Sequence, residues 1–415
     1  MKSLLQTLKR NIKLIENFSY LSVLQLLNLV LPLLILPYLL RTLGSHTYGL
    51  VIYSQTVLGY FVVLINFGFT VTATKEISIH RDSPEKLNEI MSSVYIIKFL
   101  LFLISVSVLA IFIFMIPEFK EYKLLYFLTL WLCVYELIFP THYFQGIEEM
   151  KFITIITLIS RVILFSFIFI FVKEDNDYLL VPVFNGIGAV VAGIISQVIV
   201  YKKGIRYSFV SFPVLKDYTK KAYVMAFAYG ANTLKYNLNI ILVQFFFSYR
   251  EVAYFDLALK VARLGSSFLE LVGIAVFPKM SREKNKAFLL KMIYISCGLS
   301  IGYLIVIYLF APLIVQILGG KDMLEATGIL KIVIFSVPVQ VLGAFLGRNC
   351  LIVHGFDKDV LKSMLYSGIF YIGGIFLFYK ILDSTSASII AFIFVLSFAY
   401  ETLYRYIKCR KHKII

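Results

Sequence analysis

Residues 18–40 read FSYLSVLQLLNLVLPLLILPYLL, an apolar run without aspartate, glutamate, lysine or arginine. A helix needs about 20 such residues to cross the hydrocarbon core of a bilayer, whereas the apolar region of a signal peptide has about 7–15. The basic segment before this run, with Lys2, Lys9, Arg10 and Lys13, therefore precedes a membrane-spanning helix and not a cleaved signal.

Apolar runs of the same kind recur along the whole chain, separated by charged turns or turns with glycine and proline. They predict an all-α membrane protein with about 12 transmembrane helices. The predicted spans are residues 18–40, 48–70, 91–116, 122–143, 152–172, 179–200, 222–247, 252–277, 289–316, 324–353, 360–382 and 386–407.

The composition excludes a soluble globule. Hydrophobic residues make up 60% of the chain and charged residues 15%, against about 45–50% and 25% in soluble domains. The cysteines and histidines are scattered, with neither CxxC nor HxxxH spacing. This pattern predicts no disulfide framework, no metal site and no bound cofactor, although coupling to a proton or sodium gradient stays open.

What the net charge of +16 implies depends on where the basic residues lie in the sequence. In a soluble protein it would suggest a nucleic-acid partner. Here lysine and arginine concentrate in alternate loops, such as Lys202 and Lys203 in the central loop, and in both terminal segments, such as Arg405 and Lys408. The positive-inside rule then predicts that both termini are cytoplasmic and that these charges contact membrane lipids, not nucleic acid.

A weak internal repeat relates the two halves of the chain. The matching segments are SHTYGL at 45–50 with REVAYF at 250–255, and TKEIS at 74–78 with FPKMS at 277–281. Chance similarity between apolar segments is the alternative. The repeat predicts an N-terminal six-helix half, residues 1–205, and a C-terminal six-helix half, residues 206–415.

Ionisable side chains at membrane depth are costly and by default suggest function. Basic residues outnumber acidic ones among them, so the surplus implies either a hydrated cavity or an anionic ligand. These residues are Lys98, Glu136, Arg161, Lys235, Asp256, Lys260, Arg263, Glu270, Lys331 and Arg348.

The eighth span carries a polar stripe. Asp256, Lys260, Arg263, Ser267 and Glu270 fall on one helix face at about 100° per residue. We expect this face to line a cavity in the bundle. The alternative is a buried ion-pair network, with Asp256 bonded to Lys260 one turn away.

The seventh span has a related face with Asn232, Lys235 and Asn239. Their donors suit phosphate and sugar oxygens, while hydrogen bonds between helices are the alternative. In the first span Asn28 and Pro32 share a side, and Pro32 can bend the helix.

Arg161 and Glu136 lie in adjacent predicted helices, so each can pair with the other or contact substrate. Lys98 and Lys331 lie near span ends, where snorkelling to the interface can explain them. Glu136, Asp256 and Glu270 are candidate coupling residues, because a carboxylate beside lysine can exchange a proton during a conformational change.

Three segments resemble a known family: PYLLRTLG at 37–44 followed by YGL, FQGIEEM at 144–150 and FPKMS at 277–281. They look like loops of Wzx-type O-antigen flippases, in the polysaccharide-exporter branch of the multidrug/oligosaccharidyl-lipid/polysaccharide superfamily. The resemblance extends over essentially the whole chain. It implies two six-helix bundles around a central cavity.

The resemblance also implies a function. The protein would flip undecaprenyl-diphosphate-linked repeat units from the cytoplasmic to the periplasmic leaflet of the bacterial inner membrane by alternating access. Other polysaccharide-assembly membrane proteins are possible partners. Charge and depth, and not the quoted loop motifs, select the candidate substrate-binding residues Arg263, Lys235, Lys260, Arg161, Asn232, Asn239 and Arg348.

Other functions fit the sequence less well. A drug or metabolite exporter of the same superfamily would share the fold, but the basic surplus disfavours a cationic cargo. A flippase for the cell-wall precursor usually has extra helices. A membrane glycosyltransferase or polymerase needs a sizeable loop for its site, and the acidic turn Asp175-Asn176-Asp177 is too short. We therefore expect a transporter and not an enzyme.

Overall fold

The computed structural model describes the backbone of residues 2–382 and 387–415. Side chains are described within these ranges except at residues 2–15, 18, 224, 227–229, 231–236, 275, 278 and 378–382. All regular elements in this part of the chain are helical. The prediction of an all-α fold is confirmed.

The chain forms two compact units by internal contacts. Unit 1 comprises Met1–Leu31 and Ser54–Thr233, and unit 2 comprises Pro32–Tyr53 and Leu234–Ile415. Two long helices, α1 and α10, contribute residues to both units. The division into halves at residue 205 follows the sequence repeat, not these contacts, and it stays a prediction.

Unit 1 is built from one part of α1, one part of α10 and the eight helices between them. The helices are α1 (Lys2–Asn66), α2 (Phe69–Ile79), α3 (Pro84–Met115), α4 (Pro117–Glu121), α5 (Lys123–Thr129), α6 (Trp131–Ile138), α7 (Thr141–Gly146), α8 (Met150–Phe171), α9 (Leu180–Lys202) and α10 (Phe212–Phe246).

Unit 2 takes the remaining parts of α1 and α10 and seven further helices, with a π-helical segment, Phe345–Leu351, after α15. The helices are α11 (Tyr249–Glu283), α12 (Lys286–Leu309), α13 (Ala311–Gly319), α14 (Ala326–Val333), α15 (Ser336–Ala344), α16 (Asp357–Leu382) and α17 (Ser388–Lys411).

Local sequence explains several helix boundaries. Ser248 caps α11 by accepting a hydrogen bond from the backbone N–H of Glu251 at 3.4 Å, and Asn285 caps α12 in the same way. Pro84 stands at the start of α3, where its missing N–H costs nothing. Inside α1 the non-helical backbone lies at Gly44, with φ 71°, a value that favours glycine.

Nine helical segments in the described residues are long and apolar enough to cross a membrane. One of them, Ser19–Ile79, contains two of the predicted spans. α10 and α11, which occupy two further predicted spans, each include positions outside the described side chains, and the nine are counted among the described residues only. Length and apolarity alone therefore do not confirm the number of 12, although they show a multi-pass membrane protein.

Large apolar side chains on these helices face outward. Phe114 is 80% exposed, Met115 75% and Leu34 62%. Exposure of so much apolar surface to water would be unfavourable, whereas contact of this surface with lipid tails costs little.

Each unit also has a close-packed interior. In unit 1 a cluster that includes Phe69, Ile77, Ile90 and Phe144 joins α2, α3 and α7. Gly146 ends α7 against Ile77, and a Cβ at this position would overlap the Ile77 side chain. Small residues at such contacts allow helices to approach closely in membranes.

A glycine of the same kind makes a testable contact in unit 2. A Cβ on Gly49 of α1 would collide with the backbone carbonyl of Tyr249, which a side-chain rotation cannot relieve. We expect Gly49→Ala to destabilise the protein by about 1–3 kcal/mol through overpacking. Thermal denaturation in detergent measures the change.

The matched control is Gly298→Ala in α12, where an added Cβ meets no atom within 4 Å. Because alanine is the better helix former by about 1 kcal/mol, this variant should be neutral or more stable. An unchanged melting temperature for Gly49→Ala would contradict the packing argument.

Candidate functional site

The predicted polar stripe lies on the more accessible face of α11. Arg263 is exposed, and Asp256, Lys260, Ser267 and Glu270 are half-buried. On the other faces Val252, Leu257 and Val261 are buried, Leu264 is half-buried and Phe268 is exposed. That the polar stripe lines a cavity stays a prediction.

Asp256 and Lys260 form a closed cluster with Tyr48 of α1. The Lys260 Nζ lies 2.5 Å from Asp256 Oδ2 and donates to Tyr48 Oη at 2.6 Å. Tyr48 in turn donates to Asp256 Oδ2 at 2.7 Å and is only 2% exposed. The Lys260 charge is therefore matched, and an anionic ligand would have to compete with Asp256.

Tyr48 was not among the candidate residues. Its position in the SHTYGL segment, half a chain before REVAYF, was the available signal. The repeat compares these segments, and in the structure Gly49 of the first lies in close contact with Tyr249, the residue immediately before the second.

Glu270 interacts electrostatically with Arg348 and Arg405. Arg405 is buried, ion-paired with Glu401, and donates to Ser363 Oγ and to the Gly343 carbonyl at 2.9 Å each. Sequence reasoning placed Arg405 in the basic C-terminal segment, and this placement was wrong because α17 carries it into the interior of unit 2. Glu270 thus has two basic neighbours, of which one is the buried Arg405.

Asn239 is fully buried and accepts a hydrogen bond from Tyr371 of α16. This contact matches the alternative of hydrogen bonding between helices. The other two residues of that predicted face, Asn232 and Lys235, lie outside the described side chains.

Glu136 pairs with Lys98 and not with Arg161. The Lys98 Nζ lies 2.6 Å from Glu136 Oε1, and Asn66 donates to the same oxygen at 2.9 Å. Lys98 is 2% exposed, so the snorkelling interpretation of this lysine was wrong. Lys331 is half-buried with its Nζ over the Tyr308 ring at 5.2 Å from the centroid.

Arg161 lines a cavity of about 320 Å³ inside unit 1. Among the described residues it makes no ion pair and no hydrogen bond, and its one electrostatic neighbour is Tyr135. The cavity is lined by Leu24, Asn28, Trp131, Leu132, Tyr135, Phe139, Thr141, Ile153, Thr157, Ser160, Arg161, Leu164, Asn185 and Ala189. The indole Nε1 of Trp131 is buried without a hydrogen-bond partner in the described part of the chain.

Helix packing fixes the walls of this cavity. A Cβ on Gly188 of α9 would lie 2.8 Å from Ser160 Oγ, and one on Gly186 would lie 3.3 Å from the Trp131 Cβ. These two glycines let α9 pack closely against α6 and α8, which carry Trp131 and Arg161. Sequence reasoning selected Arg161 and missed Trp131, because an aromatic residue in an apolar span looks like core packing.

A second cavity, of about 300 Å³, lies beside Lys221, just before the predicted span 222–247. The Lys221 Nζ is 2.9 Å from Asp217 and 3.6 Å from Glu76. The hydrogen bond to Asp217 raises the pKa of Lys221 above its ordinary value. Lys75 also lines this cavity, so two lysines stand beside the two carboxylates Glu76 and Asp217, and the charges there balance in number.

Comparison with known proteins shows relatives over most of the chain. The sequence model of the family described as "Polysaccharide biosynthesis protein" matches residues 14–284. Two relatives are named "Putative O-antigen transporter", each 27% identical to this chain. The one from Escherichia coli (strain K12) matches over 362 residues, 85% of this chain and 87% of that protein. The one from Shigella dysenteriae matches over 352 residues, 82% and 86%.

Solved structures share the fold. The lipid II flippase MurJ in an inward closed conformation has a TM-score of 0.72 at 15% identity, covering 95% of this chain and 87% of that one. An inward-facing multidrug resistance transporter of the MATE family, in the MOP superfamily, has a TM-score of 0.70 at 14% identity, covering 95% and 98%. At these identities the likeness concerns the fold alone, which is that of all-α membrane transporters.

Proposed function

The chain belongs to the polysaccharide biosynthesis protein family, and from this premise we propose that it is a flippase for a lipid-linked oligosaccharide. The cargo would be an undecaprenyl-diphosphate-linked repeat unit, moved from the cytoplasmic to the periplasmic leaflet of the bacterial inner membrane. Both termini would be cytoplasmic. The names of the two relatives and the fold shared with a lipid II flippase support this proposal.

The observation that carries the proposal is the unmatched charge of Arg161. A guanidinium at membrane depth without a carboxylate is costly unless water or an anion solvates it. Lys98 and Lys260 are matched by Glu136 and Asp256, whereas Arg161 has no carboxylate partner among the described residues. A glycan with anionic groups supplies the missing partner, whereas a cationic drug would be repelled.

The remaining candidate residues extend the proposal. Substrate would contact Arg263, Lys235, Lys260, Asn232, Asn239 and Arg348 during alternating access. Asp256, Glu136 and Glu270 would couple an ion gradient to the cycle. In the structure each of these carboxylates has a basic neighbour, which a transported ion would have to replace.

A flipping assay in proteoliposomes tests the function. With a fluorescent undecaprenyl-diphosphate oligosaccharide, wild-type protein should move the label between leaflets. We expect Arg161→Gln to slow flipping roughly tenfold or more, because a hydrogen bond to a charged group contributes about 1.5–3 kcal/mol. Arg263→Ala and Lys235→Ala should also slow it.

The matched control is Arg81→Gln, which removes an exposed arginine paired with Asp82 and Glu148. This variant should flip at the wild-type rate, and all variants should reach equal levels in the membrane. Wild-type protein that exports cationic dyes and leaves the lipid-linked glycan in place would support the multidrug-exporter alternative. Sugar transfer by purified protein would support the enzyme alternative.

A further inference from the structure

The cavity in unit 1 carries one uncompensated positive charge. Arg161 is the only lysine or arginine among its lining residues. The other membrane-depth pair of the unit, Lys98 with Glu136, is closed on itself at 2.6 Å. An anion that enters the cavity would therefore meet one half-buried cation that has no carboxylate partner in the described chain.

The single charge restricts the kind of anion. A guanidinium binds one carboxylate through two parallel hydrogen bonds. A diphosphate carries more negative charge, and the excess would be buried beside apolar walls such as Phe139 and Leu164 without a second lining cation. Because a buried unpaired charge is costly, the cavity suits a monocarboxylate better than a diphosphate.

The other lining groups suit a sugar ring. Trp131 is an aromatic lining residue suited to the apolar C–H face of a pyranose, and Tyr135 is another, with one face of its ring stacked on Phe139. The indole Nε1 is a buried donor that lacks an acceptor in the described chain. Asn185 uses its Nδ2 to donate to the Val181 carbonyl at 2.8 Å, so its amide oxygen is the group that can accept from a sugar hydroxyl. Asn28 adds a second amide.

The volume of the cavity matches a small sugar unit. About 320 Å³ lies at the lower end of the range for small-molecule sites, about 300–1,000 Å³. We propose that this cavity is a subsite for one acidic sugar, a pyranose with a single carboxylate. The source of that sugar rests on the proposed function, in which it would be one residue of the transported glycan.

The chain provides its own reporter for this subsite. Trp131 is the only tryptophan in the sequence, so intrinsic tryptophan fluorescence of the purified full-length protein reports on this cavity wall alone. Titration with sodium glucuronate should give a saturable change in emission. Glucose, and sodium chloride at equal ionic strength, should give none.

Arg161→Gln should weaken the apparent affinity for glucuronate at least tenfold, and Arg161→Lys should retain part of it. Arg81→Gln, with its exposed side chain, should leave the affinity unchanged. Equilibrium dialysis with radiolabelled glucuronate supplies a second readout that does not depend on the indole. In that assay Trp131→Phe should still bind, more weakly.

Three results would overturn the subsite: no binding of glucuronate in both assays, equal binding of glucose, or stronger binding of inorganic diphosphate than of glucuronate. These results are distinct from failure of the proposed function. Glucuronate binding without flipping of any lipid-linked glycan would contradict the flippase function and support the acidic-sugar subsite. Flipping without glucuronate binding would contradict the subsite and support the flippase function.

Discussion

Replacing Arg405 with leucine should destabilise the protein by about 3–5 kcal/mol, because the change leaves the carboxylate of Glu401 buried without its cation. Both side chains are under 10% exposed. Arg405 also donates to Ser363 Oγ and to the Gly343 carbonyl, so its removal breaks one hydrogen bond from α17 to α16 and one from α17 to α15. We expect a large fall in the temperature at which purified protein loses its monodisperse size-exclusion peak.

Two further variants separate charge from packing. Glu401→Leu combined with Arg405→Leu removes both charges, so the double variant should recover much of the stability lost in the single one. Arg410→Leu, on the same helix but exposed over the Tyr406 ring, should change stability little. If Arg405→Leu melts like Arg410→Leu, the buried ion pair does not stabilise unit 2.

Replacing Lys98 with methionine should produce the second large effect, about 3 kcal/mol of destabilisation, the lower end of the range for a broken buried pair. Glu136 is 19% accessible at its side chain and keeps the hydrogen bond from Asn66. The partial exposure and the hydrogen bond from Asn66 reduce the destabilisation caused by removing Lys98, but neither replaces its positive charge. Thermal inactivation in detergent measures the change.

The control for this experiment lies on the same helix. Lys86 pairs with Glu89 at 2.5 Å, but their side chains are 39% and 33% exposed. An exposed pair contributes about 0–1 kcal/mol, so Lys86→Met should be nearly neutral. Glu136→Gln added to Lys98→Met should restore stability. Equal losses of stability in Lys86→Met and Lys98→Met would show that burial does not increase the stabilisation by the ion pair.

Hydropathy located the long helices because each is an apolar run with clear ends. The predicted span 152–172 corresponds to α8, Met150–Phe171, and the span 91–116 ends within one residue of α3. The same reasoning could not show that residues 122–143 include two successive short helices, α5 and α6, before α7 begins. Such breaks depend on backbone geometry and on neighbouring helices.

The candidate site was predictable in part for a similar reason. Helical periodicity puts Asp256, Lys260 and Arg263 on one face whatever surrounds the helix. The partners of these charges come from distant parts of the chain, as Tyr48 does for Lys260, and hydropathy does not contain that information. Arg161 could be selected by its depth, but its lack of a partner became visible only in three dimensions.

The polarity of α11 has a consequence for biogenesis. A central aspartate, lysine or arginine costs about 2.5–3.5 kcal/mol when a helix leaves the translocon alone, and α11 carries several. Tyr48, synthesised long before Lys260 and Asp256, contacts both of them in the finished protein. The polar groups of α11 thus gain their Tyr48 partner only when a helix made early in synthesis and one made late come together.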